Sequence, residues 1–204
     1  MLKRGFDIIV SATGLIVLSP VLLVIALAIK ASSKGPALYK GRRMGFAQKP
    51  FFMFKFRTMV INADKIGGPT TSDDDPRVTK IGAFLRKYKL DELPQLINVL
   101  KGEMSLVGPR PEVEEVTKHF TKEQRIVFSV RPGITDWASL RFPNEGELVK
   151  GAKDPHQAYL EKIWPEKIRL QMKYARERTF SADLKIILRT IRVVLFGHNG
   201  KIKI

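Results

Sequence analysis

The chain has no cysteine, and its acidic residues are greatly outnumbered by basic ones. The absence of cysteine excludes a disulfide framework and suits a reducing compartment without proving one. Only 20 Asp and Glu oppose 36 Lys and Arg, which leaves a net charge of +16. A chain this cationic is expected to bind polyanions, namely nucleic acid, anionic lipid headgroups or phosphorylated substrates, and charge alone does not choose among them.

The size of the chain limits its organisation. Its 204 residues, 44% of them hydrophobic, allow one compact domain plus a membrane element and are too few for two large domains. The sequence contains no internal repeat and no low-complexity segment, and its three histidines lack metal-ligand spacing. We therefore expect one catalytic or binding unit.

An apolar segment near the N-terminus has the properties of a membrane helix. Positions 8–29 contain no charged residue, and a helix of that length is about 33 Å long, enough to cross the hydrocarbon of a bilayer. A cleaved signal peptide has a shorter apolar region followed by small residues, whereas this segment leads into Lys30 and Lys34, which disfavours cleavage. The sequence predicts a membrane helix with Pro20 in its interior.

Two topologies of this helix agree with the sequence. Because Pro20 removes one backbone hydrogen bond, the first is a kinked helix that spans the bilayer. Basic residues accumulate on the cytoplasmic side of membrane helices, yet here they stand on both sides, with Lys3 and Arg4 before the apolar segment and others after it. The second topology is a re-entrant helix that breaks at Ser19-Pro20, with the Ser19 hydroxyl satisfying a carbonyl that Pro20 leaves unbonded.

A second candidate membrane element lies near residues 181–196. Ser181 is expected to cap this helix, and Asp183 suits its N-terminus. Apolar side chains surround one stripe of cations at helical spacing, namely Lys185, Arg189 and Arg192. This pattern is typical of an amphipathic helix at an anionic interface, and a core helix with a solvated stripe has the same pattern.

The middle of the chain is expected to hold one β-hairpin. Two β-prone segments, at 37–43 and 51–58, flank a turn at 45–50, and residues 61–75 form a polar loop. Apolar stripes predict helices on both sides of position 91 and further helices at 112–119, 121–128 and 165–178, with an irregular stretch at 131–154. The predicted fold class is mainly α with a small β-hairpin (α+β), divided into a membrane element of residues 1–34 and a domain of residues 35–204.

The carboxylate pair Asp91-Glu92 is the first candidate for chemistry. Asp91 is placed as a helix N-cap and Glu92 as the first helical residue, with Pro94 in the first turn, and the helix dipole is expected to keep Asp91 ionised. A cap with no further role is one interpretation. The adjacent carboxylate and the nearby cations favour another, because an ionised carboxylate at a cationic site can attack phosphorus or help to hold magnesium at phosphate oxygens.

Several basic residues are candidate phosphate ligands. Arg110 lies between two prolines in GPRP, so its guanidinium has little freedom and suits a bidentate contact. Lys55 and Arg57 share one strand face in KFRTM by alternation. Taken singly, each such residue is more often a solvated charge, and the same holds for the further candidates Arg77, Arg86 and Arg131.

Together these motifs resemble those of a known family. The segments KRGFDIIVSATGLIVLSP, KFRTM, DPRVTKIGAFLRKYKLDELPQLINVLKGEMSLVGPRP and RPGIT occur in family order from about Arg4 to Phe196. The chain resembles the small bacterial sugar transferases, the monotopic phosphoglycosyl transferases typified by the initiating enzyme of bacterial N-linked glycan assembly.

The resemblance implies a topology, a reaction and partners. It implies that residues 1–34 form a re-entrant helix broken at Ser19-Pro20, with both termini and a catalytic domain of residues 35–204 on the cytoplasmic face of the bacterial inner membrane. The implied reaction transfers a sugar-1-phosphate from a nucleoside diphosphate sugar, usually a UDP-sugar, to undecaprenyl or another polyprenyl phosphate. UMP is released and Mg²⁺ is required. The implied partners are these two substrates and inner-leaflet lipids, not nucleic acid.

The resemblance also assigns roles to residues. Asp91 matches the family's nucleophile, which forms a covalent aspartyl phosphosugar, and Glu92 is its partner and the candidate magnesium ligand. The reaction then has two half-reactions, because UMP leaves before the lipid phosphate attacks. We expect the phosphates and the nucleotide to contact Lys55, Arg57, Arg77, Arg86, Arg110 and Arg131. Neither the sugar nor the oligomeric state follows from the resemblance.

One motif departs from the family pattern. Many relatives have RPGITGWAQ where this chain has RPGITDWASLRF, so Asp136 stands in place of glycine. Aspartate lacks the freedom of glycine at positive φ and adds a negative charge near the presumed sugar site, which leaves the identity of the sugar open. We expect the minimal catalytic form, without the additional N-terminal membrane bundle of larger relatives.

Two functions from other classes compete with this one. A nucleic-acid-binding module agrees with the net charge of +16, but the chain has no recognition motif, and its apolar helix is foreign to such modules. A non-catalytic membrane scaffold explains the lipid elements but leaves the carboxylate pair and Arg110 without a purpose. Release of UMP distinguishes the enzyme from both.

Overall fold

The computed structural model describes residues 2–68 and 70–196. Within these ranges the chain is mainly helical, as predicted, with helices α1 (Leu2–Ser32), α2 (Ala63–Ile66), α3 (Lys80–Lys87), α4 (Gln95–Lys101), α5 (Glu114–Thr117), α6 (Trp137–Arg141), α7 (Glu145–Leu148), α8 (Pro155–Lys162), α9 (Trp164–Glu177) and α10 (Phe180–Phe196). The strands are β1 (Leu38–Met44), β2 (Pro50–Phe56), β3 (Ser105–Val107) and β4 (Gly133–Thr135). Short 3₁₀ helices cover Phe46–Gln48, Leu90–Glu92 and Gln124–Ser129. Residues 197–204, the end of the predicted domain 35–204, lie outside the described residues.

The predicted hairpin is confirmed. Strands β1 and β2 pair antiparallel, from Leu38 opposite Phe56 to Met44 opposite Pro50. The turn between them contains Ala47 and Gln48 at positive φ. Lys55, the first of the candidate phosphate ligands, therefore lies near the C-terminal end of β2.

A second, parallel sheet was not expected from the sequence. Strands β3 and β4 join the segments SLVGPRP and RPGIT, and a Cβ at Gly133 would lie only 2.0 Å from the amide nitrogen of Gly108. Glycine is needed there because the two backbones approach so closely. The prediction of an irregular stretch at 131–154 is wrong, since it contains β4, α6 and α7; elements of three to five residues are too short to show a period.

Helix α1 runs without interruption through Pro20. Ser19 Oγ donates a hydrogen bond of 2.8 Å to the carbonyl of Ile16, which is the carbonyl that Pro20 cannot bond. The predicted hydrogen bond of the Ser19 hydroxyl is present, but the predicted break at Ser19-Pro20 does not interrupt the helix, and the re-entrant topology stays a prediction. Among the described residues, α1 is the one helix with the length and apolar composition to cross a membrane, and only 11% of its most apolar window is buried against the rest of the chain.

One face of α1 packs along the domain from the first turn to the last, and the opposite face is exposed. In the first turn, Lys3 Nζ lies 2.6 Å from a carboxylate oxygen of Asp183, and Arg4 donates to the carbonyl of Val99 at 2.7 Å. Near the other end, Ile29 is almost fully buried in a cluster with Phe56. Between the two ends, Ser11 is fully buried and Leu15 and Leu22 pack against the domain. The opposite face is exposed, at Ile16, Val17, Val21, Leu23 and Val24.

Helix α4 connects the hairpin to the rest of the domain through Asn98. This side chain is fully buried, accepts from the amide of Phe54 at 2.9 Å and donates to the carbonyl of Phe52 at 2.7 Å. Both bonds satisfy backbone groups of β2 that would otherwise be buried unpaired. They hold β2 against α4 and so place Lys55 beside the segment that precedes α4.

Helix α10 agrees with the predicted helix near residues 181–196, but its cap is Thr179 rather than Ser181. Thr179 Oγ1 accepts from the amide of Ala182 at 3.1 Å, and Asp183 points into the protein. The apolar face of α10 points outward, with exposed side chains at Leu184, Leu188, Ile191 and Leu195. These side chains do not fill the core, which favours an interfacial helix over a core helix.

Candidate active site

The candidate carboxylates lie in a tight turn that precedes α4. Leu90–Glu92 forms a 3₁₀ helix that follows Lys89 at a φ of 56°, and α4 begins only at Gln95, with Pro94 at its N-cap. The prediction that Asp91 is an N-cap is therefore wrong, because the left-handed Lys89 redirects the chain before the helix starts. The turn leaves Asp91 only 6% exposed.

Glu92 is held by two cations from distant parts of the chain. Lys55 Nζ donates to Glu92 Oε1 at 2.7 Å, and Arg110 Nη2 donates to the same oxygen at 2.6 Å. Arg110 Nη1 reaches the second oxygen at 3.3 Å, which makes the contact bidentate. Burial opposes the charge on Glu92, but Arg110 and Lys55 outweigh it and hold the pKa of Glu92 well below its usual range.

Asp91 lies in a different environment from its neighbour. It makes no hydrogen bond to any residue in the described ranges. Burial raises the pKa of Asp91 above its usual value, and the Glu92 charge adds to this, against the opposing charges of Lys55, Arg86 and Arg110. The helix dipole therefore does not control its ionisation as predicted, since Asp91 is buried outside α4. The site pairs a carboxylate whose lowered pKa favours the charged form, Glu92, with one that is poorly solvated and has no ion-pair partner among the described residues, Asp91.

Arg86 contributes the third cation that acts on Asp91. It lies in the last turn of α3, and its Nε donates to the hydroxyl of Thr58 at 3.0 Å. Burial lowers the pKa of Arg86, and the charge of Asp91 opposes that shift. The structure thus brings three of the predicted basic residues, Lys55, Arg86 and Arg110, around the carboxylate pair.

Arg57 is oriented towards the membrane helix instead. Its guanidinium donates to the carbonyl and the hydroxyl of Ser33, each at 3.0 Å, and to the carbonyl of Lys34. Basic side chains commonly bond the free carbonyls at a helix C-terminus. Arg57 therefore ties the end of α1 to β2, and its predicted role as a phosphate ligand stays a prediction.

Replacing Arg57 with alanine tests this assignment. We expect Arg57→Ala to lower the free energy of unfolding by about 1–3 kcal/mol, because the carbonyls of Ser33 and Lys34 lose their charged donor. The KM for the expected UDP-sugar donor should be nearly unchanged. Thermal unfolding in detergent measures the first quantity. Arg42→Ala is the control, since that side chain is 61% exposed. Unchanged stability with a raised donor KM would restore the phosphate-ligand hypothesis.

Arg77 and Arg131 are also engaged by protein groups. Arg77 forms an ion pair of 2.6 Å with Asp75 and donates to the carbonyls of Ala63 and Gly68 at 3.0 and 3.1 Å. Arg131 donates to the carbonyl of Gly102 at 2.9 Å. Neither forms a hydrogen bond or ion pair with Asp91 or Glu92, and their predicted contacts with substrate stay predictions.

A magnesium ion fits one of the two carboxylates better than the other. Within residues 2–68 and 70–196, no group of three or more His, Asp or Glu side chains is arranged to hold a metal. Mg²⁺ is, however, commonly held by one or two carboxylates together with substrate phosphates. Both oxygens of Glu92 already accept from Lys55 or Arg110, so Asp91 is the carboxylate with free oxygens. The predicted Glu92 contact would require displacing a cation.

A second ionic cluster, which the sequence does not reveal, lies beyond Arg110. Lys167 of α9 is 4% exposed and lies 3.2 Å from Glu112 and 3.1 Å from Glu145. Its ammonium also donates to the hydroxyl of Tyr159 at 2.9 Å. Four residues from four chain segments share no local pattern, and a lysine on a helix is usually solvated, so nothing in the sequence singled them out.

Asp136 caps α6 and contacts Arg110 through the backbone. Its carboxylate accepts from the amide of Ser139 at 2.6 Å and from the amide of Arg110 at 3.4 Å. Its φ of −156° is extended, so the concern about losing glycine's positive φ is unfounded. Burial raises the pKa of Asp136. Its carboxylate is directed at protein amides and is only 1% exposed as a residue.

Comparison with known proteins agrees with these features. The profile described as bacterial sugar transferase matches residues 1–197. The UDP-glucose:undecaprenyl-phosphate glucose-1-phosphate transferase of Escherichia coli (strain K12) is 40% identical over 195 residues, covering 94% of this chain and 39% of that protein. The UDP-N-acetylgalactosamine-undecaprenyl-phosphate N-acetylgalactosaminephosphotransferase of Aeromonas hydrophila is 35% identical over 204 residues, covering 98% of this chain and 45% of that protein.

A relative of similar length also matches. The uncharacterized sugar transferase EpsL of Bacillus subtilis (strain 168) is 36% identical over 198 residues, covering 97% of this chain and 89% of that protein. The chain thus spans less than half the length of the first two relatives and most of the third. The profile match extends over nearly all of the sequence, and the resemblance indicated by the motifs is confirmed: the chain belongs to the bacterial sugar transferase family.

Proposed function

We propose that this protein transfers a sugar-1-phosphate from a UDP-sugar to undecaprenyl phosphate and releases UMP. The observation that carries the proposal is a buried, unpartnered carboxylate, Asp91, among the charges of Lys55, Arg86 and Arg110. The names of the Escherichia coli and Aeromonas hydrophila relatives support it, since both specify a UDP-sugar and undecaprenyl phosphate. We take the reaction to be the first membrane step in assembling a glycan or polysaccharide.

The first half-reaction begins at Asp91. A carboxylate oxygen of Asp91 attacks the phosphorus that carries the sugar, the bond from that phosphorus to the bridging oxygen breaks, and UMP leaves with the electron pair. The product is an aspartyl phosphosugar. Poor solvation makes the Asp91 carboxylate more reactive than a hydrated one, and the surrounding cations offset its repulsion from the diphosphate.

The second half-reaction regenerates the carboxylate. An oxygen of undecaprenyl phosphate attacks the phosphorus of the aspartyl phosphosugar, the acyl phosphate bond breaks, and the lipid diphosphate sugar is released. Neither half-reaction needs a net proton transfer at Asp91. The protein's task is therefore positioning and charge neutralisation, as is usual for phosphoryl transfer.

We assign to Glu92 the role of holding Lys55 and Arg110 in place. Its depressed pKa keeps it ionised near neutral pH and makes it a poor general base. Its ion pairs with Lys55 and with the guanidinium of Arg110 fix two charged donors beside Asp91 before substrate binds. A bound magnesium ion would neutralise phosphoryl oxygens beside Asp91, and no step above depends on it.

We further propose that α1 is re-entrant and that both termini lie on the cytoplasmic face of the inner membrane. The supporting observation is that both ends of α1 pack against one domain while the apolar face opposite the contact is exposed. A helix that crossed the bilayer completely would carry one of these docked ends to the opposite side. The outward apolar face of α10 supplies a second contact with the membrane surface.

The absence of native cysteine makes this topology directly testable. Leu2 is 71% exposed, and we expect a single cysteine in Leu2→Cys to resist a membrane-impermeant maleimide in intact cells and to react after lysis. Lys118→Cys on the domain surface is the matched control, with a side chain that is 63% exposed. Labelling of Leu2→Cys in intact cells, with Lys118→Cys protected, would mean that α1 spans the bilayer.

The reaction is tested by measuring UMP release. The purified protein in detergent is mixed with undecaprenyl phosphate, Mg²⁺ and each of several UDP-sugars, including UDP-glucose and UDP-N-acetylgalactosamine. We expect UMP and a lipid diphosphate sugar in equal amounts with at least one donor. A protein that binds membranes but releases UMP with none of a broad panel would be a scaffold, and the proposal would be withdrawn.

A further inference from the structure

The second ionic cluster has no part in the reaction described above, yet removing its charged groups from water costs free energy. It consists of Lys167, Glu112, Glu145 and Tyr159. Two carboxylates share one ammonium there, so the cluster carries one excess negative charge. Burial lowers the pKa of Lys167, but Glu112 and Glu145 outweigh burial and raise it, so the ammonium stays charged. A buried cluster with uncompensated charge is expected to act on the nearest mobile charges.

Arg110 is the active-site residue on which this excess charge acts. Glu112 follows Arg110 after one proline, and Asp136 accepts from the Arg110 amide. The pKa of Arg110 is raised chiefly by Glu92 and, in addition, by Glu145 and Glu112. The guanidinium is therefore attracted in two directions, towards Glu92 at the candidate active site and towards the glutamates of the cluster.

Lys167 decides between these two directions. With its ammonium in place, Glu112 and Glu145 are both paired with a cation, and the Arg110 fork remains on Glu92 at 2.6 and 3.3 Å. Without it, two partly buried carboxylates would lack that partner, which is an unfavourable state. Arg110, on which both glutamates already act, is the cation able to relieve that state, at the expense of its place in the active site.

We propose that Lys167 is a positioning residue for the phosphoryl transfer. By pairing with both Glu112 and Glu145, it keeps Arg110 beside Glu92 and available to the phosphates of the UDP-sugar. This inference rests on the proposed function, because it takes Arg110 to be a phosphate ligand. The affinity for the UDP-sugar then depends on the net charge of a cluster that lies outside the reacting groups.

The test is a charge series in the full-length protein. Lys167→Met leaves the cluster with two negative charges, the double variant Glu145→Gln/Lys167→Met returns it to one, and Glu145→Gln leaves none. We expect the donor KM, measured by UMP release, to rise about tenfold in Lys167→Met, to return within about threefold of the parent in the double variant, and to fall slightly in Glu145→Gln. Lys167→Arg, which keeps the charge, should remain near the parent.

A purely structural role gives a different outcome. Tyr159→Phe removes a hydrogen bond to Lys167 without changing the charge of the cluster, so a donor KM that follows stability would rise in Tyr159→Phe, whereas one that follows charge would not. Thermal unfolding of all variants separates the two cases, and a KM that follows stability rather than charge overturns the proposal. If Lys167→Met does not fold, the donor KM values of Glu145→Gln and of the double variant still test whether KM follows the charge of the cluster. Failure of the proposed function is recognised separately, because the parent protein would then release no UMP.

Discussion

Replacing Asp91 with asparagine is expected to abolish sugar phosphate transfer and to prevent formation of any covalent adduct. The amide has the shape of the carboxylate but no charge and little nucleophilicity, so we expect activity to fall by at least about a thousandfold. The effect should be nearly complete because, in the proposed reaction, no other described group contacts the phosphorus covalently.

Intact-protein mass spectrometry provides the direct measurement. The parent protein incubated with UDP-sugar and no lipid acceptor should gain the mass of one sugar phosphate, and Asp91→Asn should gain nothing. Glu177→Gln makes a similar acid-to-amide change at an exposed position of α9 and should retain the adduct. An active Asp91→Asn protein, or an adduct that persists in it, rules out the covalent mechanism.

Replacing Glu92 with glutamine is expected to have the second-largest effect. The amide cannot hold both Lys55 and Arg110 as the carboxylate does, and we expect kcat/KM to fall about a hundredfold, corresponding to about 2.7 kcal/mol. The Glu92 charge contributes to the raised pKa of Asp91. Its removal should therefore lower the pKa of Asp91, and the acid limb of the pH profile of UMP release should move to lower pH.

The direction of this pH shift separates two roles of Glu92. A general base at position 92 would itself produce the acid limb, and the limb would disappear in Glu92→Gln. Glu114→Gln is the matched control, because Glu114 is also paired with one arginine and one lysine, at 3.5 and 3.9 Å, on a more exposed surface. A similar loss of activity in Glu114→Gln would mean that the effect is not specific to the site.

The membrane helix and the candidate site are connected through a single strand. Arg57 bonds the carbonyls after α1, Lys55 lies two residues earlier on the same segment, and Asn98 holds β2 against α4. The exit of α1, the Lys55 ammonium and the carboxylate pair are therefore positioned together. This arrangement holds Asp91 close to the end of α1, where, in the proposed reaction, a lipid phosphate attacks the phosphosugar.

The elements that the sequence predicted well are those with a local pattern. Helix α1, the hairpin β1–β2 and helix α10 each display their own apolar periodicity or turn residues. Ser19 and Pro20 are adjacent, so the hydrogen bond that relieves the proline follows from covalent geometry alone. The carboxylate pair and Arg110 were singled out for the same reason, as short motifs with unusual neighbours.

The predictions that were wrong or stay open depend on contacts between distant segments. Asp91 was expected to cap a helix, but a left-handed Lys89 and burial give it another environment. Arg57 was expected at a phosphate, and its orientation towards α1 depends on where the helix ends. Lys167 carried no signal, because its partners come from three other segments of the chain.

The sequence by itself determined that this chain has an apolar helix long enough to cross a membrane, with a proline inside it, a cationic domain and an acidic pair among basic motifs. Periodicity, composition and adjacent residues are properties of the chain before it folds. Only the tertiary structure decided which cations surround the acidic pair, which carboxylate is charged and which is poorly solvated, and that both ends of α1 meet one domain. Electrostatic interactions depend on distance and burial, and those quantities exist only once remote segments have packed together.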